Sequence, residues 1–95
     1  MSRGVKRRLK EKMLEDVDVN IGKQGLTEAV LKEINRRLDE QEIVKIRILK
    51  SALTVEGIED RKKLAEIIAQ KLDADAMEIR GYALVLYRRR RKRTL

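Results

Sequence analysis

The chain has no cysteine, histidine, proline, tryptophan or phenylalanine, and Tyr82 and Tyr87 are its only rings. Each absence removes a class of function. Without cysteine there is no disulfide framework, no thiol nucleophile and no thiolate metal site. Without histidine there is no imidazole base and no mixed nitrogen–sulfur zinc site. Serine–histidine triads, cysteine–histidine proteases and zinc fingers all go together. Long apolar runs are missing as well. No stretch approaches the roughly 18 residues of a spanning helix, and the first residues lack the apolar core of a signal peptide. A membrane-surface helix would want Trp or Phe on its apolar face. The expectation is a cytoplasmic protein with no membrane partner.

What the chain has is charge. Its 95 residues are 42% charged, with a net charge of +8 and an isoelectric point near 10. The surplus sits at the ends. Residues 1–12 carry Arg3, Lys6, Arg7, Arg8, Lys10 and Lys12 against Glu11 alone, and residues 88–93 read RRRRKR. The stretch between them is slightly acidic. Basic ends on a small domain point to a polyanion, nucleic acid before membrane. A chain of this size also encloses little volume, so no cofactor and no small-molecule substrate are expected.

Hydrophobic spacing orders the elements. Val5, Leu9 and Met13 recur at i, i+4 and i+8, giving a short helix over 5–15. Val17, Val19 and Ile21 alternate with polar residues as in a half-buried strand. After Gly22-Lys23-Gln24-Gly25, Thr27 is a good N-cap, and Leu26 and Leu31 stand at the spacing of a hydrophobic staple. Val30, Ile34 and Leu38 continue that helix to about Gln41. Val44, Ile46 and Ile48 make a second strand. A loose stretch from Ser51 to Gly57 leads to a third helix carrying Leu64, Ile68 and Leu72. Residues 76–79 and 82–87 then read as two strands joined by Arg80-Gly81. The prediction is one α/β domain, α-β-α-β-α-β-β, with a small mixed four-stranded sheet and parallel crossovers.

The strand–GKQG–helix unit is the most informative motif. Two glycines three apart free the backbone and leave no Cβ in a ligand's way. The loop leads to a helix N-terminus, whose unpaired N–H groups favour an anion, and Lys23 adds a cation. A phosphate clamp like the GxxG loop of KH domains fits this pattern, and so does a plain strand-to-helix turn. It is not a nucleotide P-loop, which needs GxxxxGK followed by Ser or Thr. The tail Arg88, Arg89, Arg90, Arg91, Lys92 and Arg93 can neutralise phosphates without folding, with little choice of sequence. Tyr82 and Tyr87, five apart on one expected strand, would point to opposite faces and form no shared stacking platform. Core or strand-edge packing is expected for at least one of them, and base-specific recognition by stacking is not expected. The acidic pairs Asp16/Asp18, Glu59/Asp60 and Asp73/Asp75 read as caps and turns. They would bind a metal or perform acid–base chemistry only if a cleft gathered them.

The segment VNIGKQGLTEAVLKEINRRLDEQEIVKIRI, followed after a helix by GYALVLYR, closely resembles the CRM domain (chloroplast RNA splicing and ribosome maturation) in its free-standing YhbY-like form. Gly22, Gly25, Leu26, Thr27 and Glu28 fall on the family's G-x-x-G-L-T-E pattern. Glu42, Ile43, Val44 and Lys45 fall on its second strand, and Gly81 with Leu84 to Arg88 on its closing strand. The match covers about residues 3–88, so the chain reads as a CRM-like domain over 1–88 and a flexible basic tail over 89–95. Two features depart from the pattern: Glu15, Asp16 and Asp18 make the first connection unusually acidic, and the arginine-rich end is unusually basic.

The resemblance implies a fold like the C-terminal domain of a bacterial translation initiation factor. It also implies RNA binding and association with the precursor of the large ribosomal subunit. The expected function is a non-catalytic, monomeric RNA-binding protein of ribosome assembly or RNA maturation. Gly22, Lys23, Gln24, Gly25 and Thr27 would hold the RNA backbone, with Arg3, Lys6, Arg7, Arg8, Lys10 and residues 88–93 supplying affinity. The alternatives are a small chromatin protein on duplex DNA, a small metal-dependent enzyme and a protein scaffold. The absence of proline and cysteine, with few amides and abundant charge, suggests a thermophilic or archaeal source.

Overall fold

A helix forms over Arg3–Leu14 (α1) because its apolar residues fall one turn apart, and Leu9 and Met13 are buried. The computed structural model describes residues 3–89, with the side chain of Arg3 not among them. Arg90, Arg91, Lys92 and Arg93 lie outside the described residues. A cation sits at the C-terminal end of α1: Lys45 Nζ donates to Met13 O at 2.6 Å and, just past the helix, to Glu15 O at 2.7 Å. That arrangement suits the negative end of a helix.

The connection out of α1 is pinned by Asp18, whose carboxylate accepts from the Lys45 N–H at 2.9 Å and pairs with Lys12 at 2.8 Å. Strand β1 is shorter than the alternation predicts, Val19–Ile21, because Asp18 turns its side chain back to this anchor. Helix α2 spans Glu28–Gln41. Thr27 caps it as expected, its Oγ1 accepting from Val30 N–H at 3.1 Å. Leu26 and Leu31 both pack against the core, which fits the staple. Glu42, at a φ of 67°, turns the chain straight into β2, Ile43–Ile48.

The stretch expected to be loose is a helix. Lys50–Glu56 forms α3, burying Ala52 and Leu53, and Gly57 stops it in the left-handed conformation at a φ of 66°. Seven residues with one buried pair are too short to show a helical period. Asp60 then caps α4, Arg61–Lys71, with Oδ1 accepting from Lys63 N–H at 2.8 Å. The order is therefore α-β-α-β-α-α-β-β, one helix more than predicted.

Strands β3 (Asp75–Arg80) and β4 (Ala83–Tyr87) form the expected hairpin, shifted by one residue. Arg80 pairs with Ala83, so the two-residue turn is Gly81-Tyr82, with Gly81 at a φ of 57°. Tyr82 thus stands at the tip of the turn, not on the strand. The sheet order is β1-β2-β4-β3, with β1 and β2 parallel and the other two pairs antiparallel. The antiparallel β4 therefore separates β2 from β3, which run the same way.

One face of this sheet meets α2, α3 and α4 in the main core, where Ile21, Ile34, Leu38, Ile46, Leu64, Ile68, Leu84 and Leu86 are fully buried. The other face is crossed by α1, whose Leu9 and Met13 pack with Ile43 and Val85, flanked by Tyr87 and Met77. Among the described residues no helix is long and apolar enough to cross a membrane.

Candidate nucleic-acid interface

The GKQG loop leaves the end of β1 as a closed turn, with Gly25 N–H donating to Gly22 O at 2.9 Å. Lys23 and Gln24 are exposed at its tip, and Gly25 is buried. The two glycines do different work. Gly25 has a φ of 70°, and a Cβ there would collide with the side chains of Glu56 and Val55. Gly22 has no positive φ, and a Cβ would meet Leu49 at an ordinary 3.5 Å. Only the second glycine is required by geometry.

The loop is held from across the fold. Glu56, at the end of α3, accepts from Leu26 N–H at 3.0 Å. This fixes the loop against α3, and it also places a carboxylate beside the helix N-terminus. The Val30 N–H is taken by Thr27, which leaves the N–H groups of Glu28 and Ala29 without an acceptor among the described residues.

Because β1 and β2 are parallel, they end at the same edge of the sheet. Leu49 N–H donates to Ile21 O at 2.9 Å, and Ile48 N–H donates to Tyr82 O at 2.8 Å. The GKQG loop, the start of α3 and the β3–β4 turn are therefore neighbours. This edge gathers Lys23 with three cations that the reading of the sequence did not single out: Arg47, Lys50 and Arg61. Arg61 donates through Nε to Ile48 O at 2.8 Å and lays its guanidinium 3.8 Å from the centre of the Tyr82 ring. None of the four cations has a carboxylate partner among the described residues.

The opposite edge, where β2 begins, uses its cations differently. Arg88 donates to Asn35 Oδ1 and Leu72 O at 2.7 Å, to Asn35 O at 3.1 Å and to Asp39 at 2.8 Å. Its side chain is only 15% exposed. Arg8 donates to Gln41 O at 3.3 Å and lies 3.5 Å from Glu42. Lys6, Arg7 and Lys10 are exposed along α1, and Arg89 is exposed just past β4. The structure thus does not join the expected site residues into one patch. The GKQG loop lies at one end of the six-residue β2, and Arg8, Arg88 and Arg89 at the other, about 17 Å away at the usual rise of 3.4 Å per residue.

On α2 the charges cancel locally. Glu33 bonds Arg36 at 2.7 Å and Arg37 at 2.8 Å, and Arg36 also bonds Glu40 at 2.9 Å. Hydrogen bonds from Arg36, then Arg37, hold the Glu33 carboxyl below its ordinary value. Among the described residues no three acidic side chains come together as a metal site would need.

The sequence model of the CRS1/YhbY (CRM) domain matches residues 2–88. The chain belongs to the CRM domain family. It is 38% identical over 83 residues to a probable RNA-binding protein of Methanocaldococcus jannaschii, a match covering 87% of this chain and 58% of that protein. The chain thus spans little more than half the length of that relative. Its fold is similar to the solution structure of a hypothetical Staphylococcus aureus protein described as a candidate RNA binder. The TM-score is 0.69 at 26% identity, covering 99% of this chain and 95% of that one. Within this CRM domain the missed cations had one readable signal: the alternation of Ile43–Ile48 turns Arg47 away from the main core. Nothing in the sequence put Arg61 beside Tyr82, because their contact depends on how α4 docks.

Proposed function

We propose that this CRM domain is a non-catalytic RNA-binding module that acts as a cytoplasmic monomer on ribosomal RNA or pre-ribosomal particles. The observation that carries the reading is that unpaired cations stand beside the exposed GKQG loop and the Tyr82 turn. Lys23, Arg47, Lys50 and Arg61 cluster without carboxylate partners at the edge that also presents the exposed loop tip. Elsewhere the cations of α2, together with Arg8, Lys12 and Arg88, are bonded within the protein, while Lys6, Arg7, Lys10, Lys62, Lys63, Lys71 and Arg89 also lack carboxylate partners among the described residues. Cations left unpaired beside a bare backbone turn suit a sugar–phosphate chain, whose contacts release counterions. Lys23 and Gln24 approach the backbone at the loop tip, while Gly25 and Thr27 set the path of the chain behind them. Lys6, Arg7, Lys10 and the basic end beyond Arg88 add affinity without sequence choice.

The test replaces Lys23 and Gln24 together by Asp. Both are exposed, so stability should move by no more than about 0.5 kcal/mol. RNA affinity should fall about tenfold or more, at 1.4 kcal/mol per decade. Duplex DNA competing at the same salt concentration separates this function from a chromatin role. If the double variant melts like the parent and binds RNA equally well, the loop is only a turn.

A further inference from the structure

We infer that Tyr82, backed by Arg61, forms a stacking site for one unpaired RNA base beside the GKQG loop. The inference rests on the RNA-binding reading and adds a recognition element to it. Four observations converge on this residue. Tyr82 is 50% exposed, while Tyr87, the other ring of the chain, packs against the α1 cluster. The two-residue turn holds Tyr82 out at the edge of the sheet, its carbonyl fixed by Ile48 N–H at 2.8 Å and the turn made possible by Gly81 at positive φ. Arg61 lies 3.8 Å from the ring centre and is itself anchored to Ile48 O, so both groups have their positions set before any ligand arrives. Arg47 stands a further step away, at 5.9 Å.

A half-exposed ring stacked with a guanidinium offers what a base needs: a flat apolar surface with positive charge next to it. Neither Arg61 nor Arg47 has a carboxylate partner among the described residues, so their charge is available to the neighbouring phosphates. The loop and the ring lie on one edge, so a strand held at Lys23 can continue to Tyr82. A base inside a duplex cannot present its face to a ring, whereas an unstacked base can. The site therefore selects single-stranded or looped RNA over a blunt helix. A single ring supplies a preference for unpaired bases but not an identity for the base.

The test measures the full chain against two probes of equal length, a single-stranded RNA carrying one 2-aminopurine and a blunt RNA duplex. Binding of the parent should change the 2-aminopurine fluorescence as the base moves onto the ring. Tyr82→Ala should lose about fivefold to a hundredfold in affinity for the single strand, the usual range for one base–aromatic stack. Its duplex affinity should stay near that of the parent, and Tyr82→Trp should recover the single-strand binding. If folded Tyr82→Ala binds the single strand as tightly as the parent, the stacking site is overturned and the loop reading stands. Equal losses on both probes would reduce Tyr82 to a structural role and also overturn it. A parent that binds neither probe overturns the RNA reading and this inference together. Loss on Tyr82→Ala with none on the Lys23/Gln24 variant would keep the ring and remove the loop.

Discussion

The two ends of β2 contain the same kind of side chain and use it in opposite ways. Where the strand begins, Arg88 spends its guanidinium on Asn35, Leu72 and Asp39, joining α2, α4 and the end of β4. Where it ends, Arg47 and Arg61 face a ring, and Lys23 and Lys50 face solvent, with no carboxylate partner among the described residues. A cation's role is decided by what lies within about 4 Å of it, not by its place in a basic run. Arg88 opens the run RRRRKR, yet its geometry gives it to the fold. The contrast can be broken at either end.

The largest effect belongs to Arg88. Arg88→Ala removes four hydrogen bonds from a mostly covered position and leaves Leu72 O without its side-chain partner. The loss should be about 3 kcal/mol, the scale of charged hydrogen bonds with little access to water. For a domain of this size that lowers the melting temperature by roughly 10 °C or more. Arg88→Lys should recover little of it, since one ammonium cannot reproduce the fork. RNA affinity per folded molecule should change far less than stability. A variant that melts normally but binds RNA weakly would move Arg88 into the interface.

The loop gives the next largest effect, and it separates the two glycines. Gly25→Ala combines a positive φ with a collision against Glu56 and Val55, and moving Glu56 breaks its bond to Leu26 N–H. Denaturant melts should show a loss of about 2 kcal/mol, within the range for a strained backbone position. Gly22→Ala should stay within about 0.5 kcal/mol. Equal losses would mean that the loop is held by something other than Gly25 and Glu56.

The smallest effect is a pH dependence on α2, away from both ends of β2. Glu33 is held below its ordinary value of 4.5 by Arg36 and Arg37, so its charged form is favoured in the folded state. A depressed carboxylate contributes stability above its unfolded value, and that contribution is lost as pH falls through the folded one. The parent should therefore lose slightly more stability than Glu33→Gln when melting is followed downward from pH 4.5, and added salt should shrink the difference. An identical acid response would make this network as weak as an ordinary surface pair.

The sequence carried the long elements because three or more apolar repeats establish a period: Val30, Ile34 and Leu38 for α2, and Leu64, Ile68 and Leu72 for α4. It carried the cap at Thr27 because capping is local. It did not carry α3, whose seven residues bury only Ala52 and Leu53. The hairpin was legible, but its register was not, because Gly81 fits either position of a two-residue turn. Within the candidate site, Lys23 and Gln24 were legible as a loop tip. The clamp of Glu56 on Leu26 spans 30 residues of chain, and the bond from Arg88 to Asn35 spans 53. Contacts of that separation come from docking, and no local pattern announces them. The one-residue shift in the turn is what moved Tyr82 from a strand face to the edge beside Arg61.

The most direct test of the contrast is the salt dependence of RNA binding. Each phosphate contact contributes a slope of about 0.7 on single strands and about 0.9 on duplexes. The triple variant Lys23→Ala, Arg47→Ala, Lys50→Ala should flatten the plot of log affinity against log salt by about 2, while Arg8→Ala, at the far end of β2, leaves it nearly unchanged. A triple variant with the parent's slope, or an Arg8→Ala variant that flattens it as much, would contradict the assignment of RNA contact to the edge where β1 and β2 end.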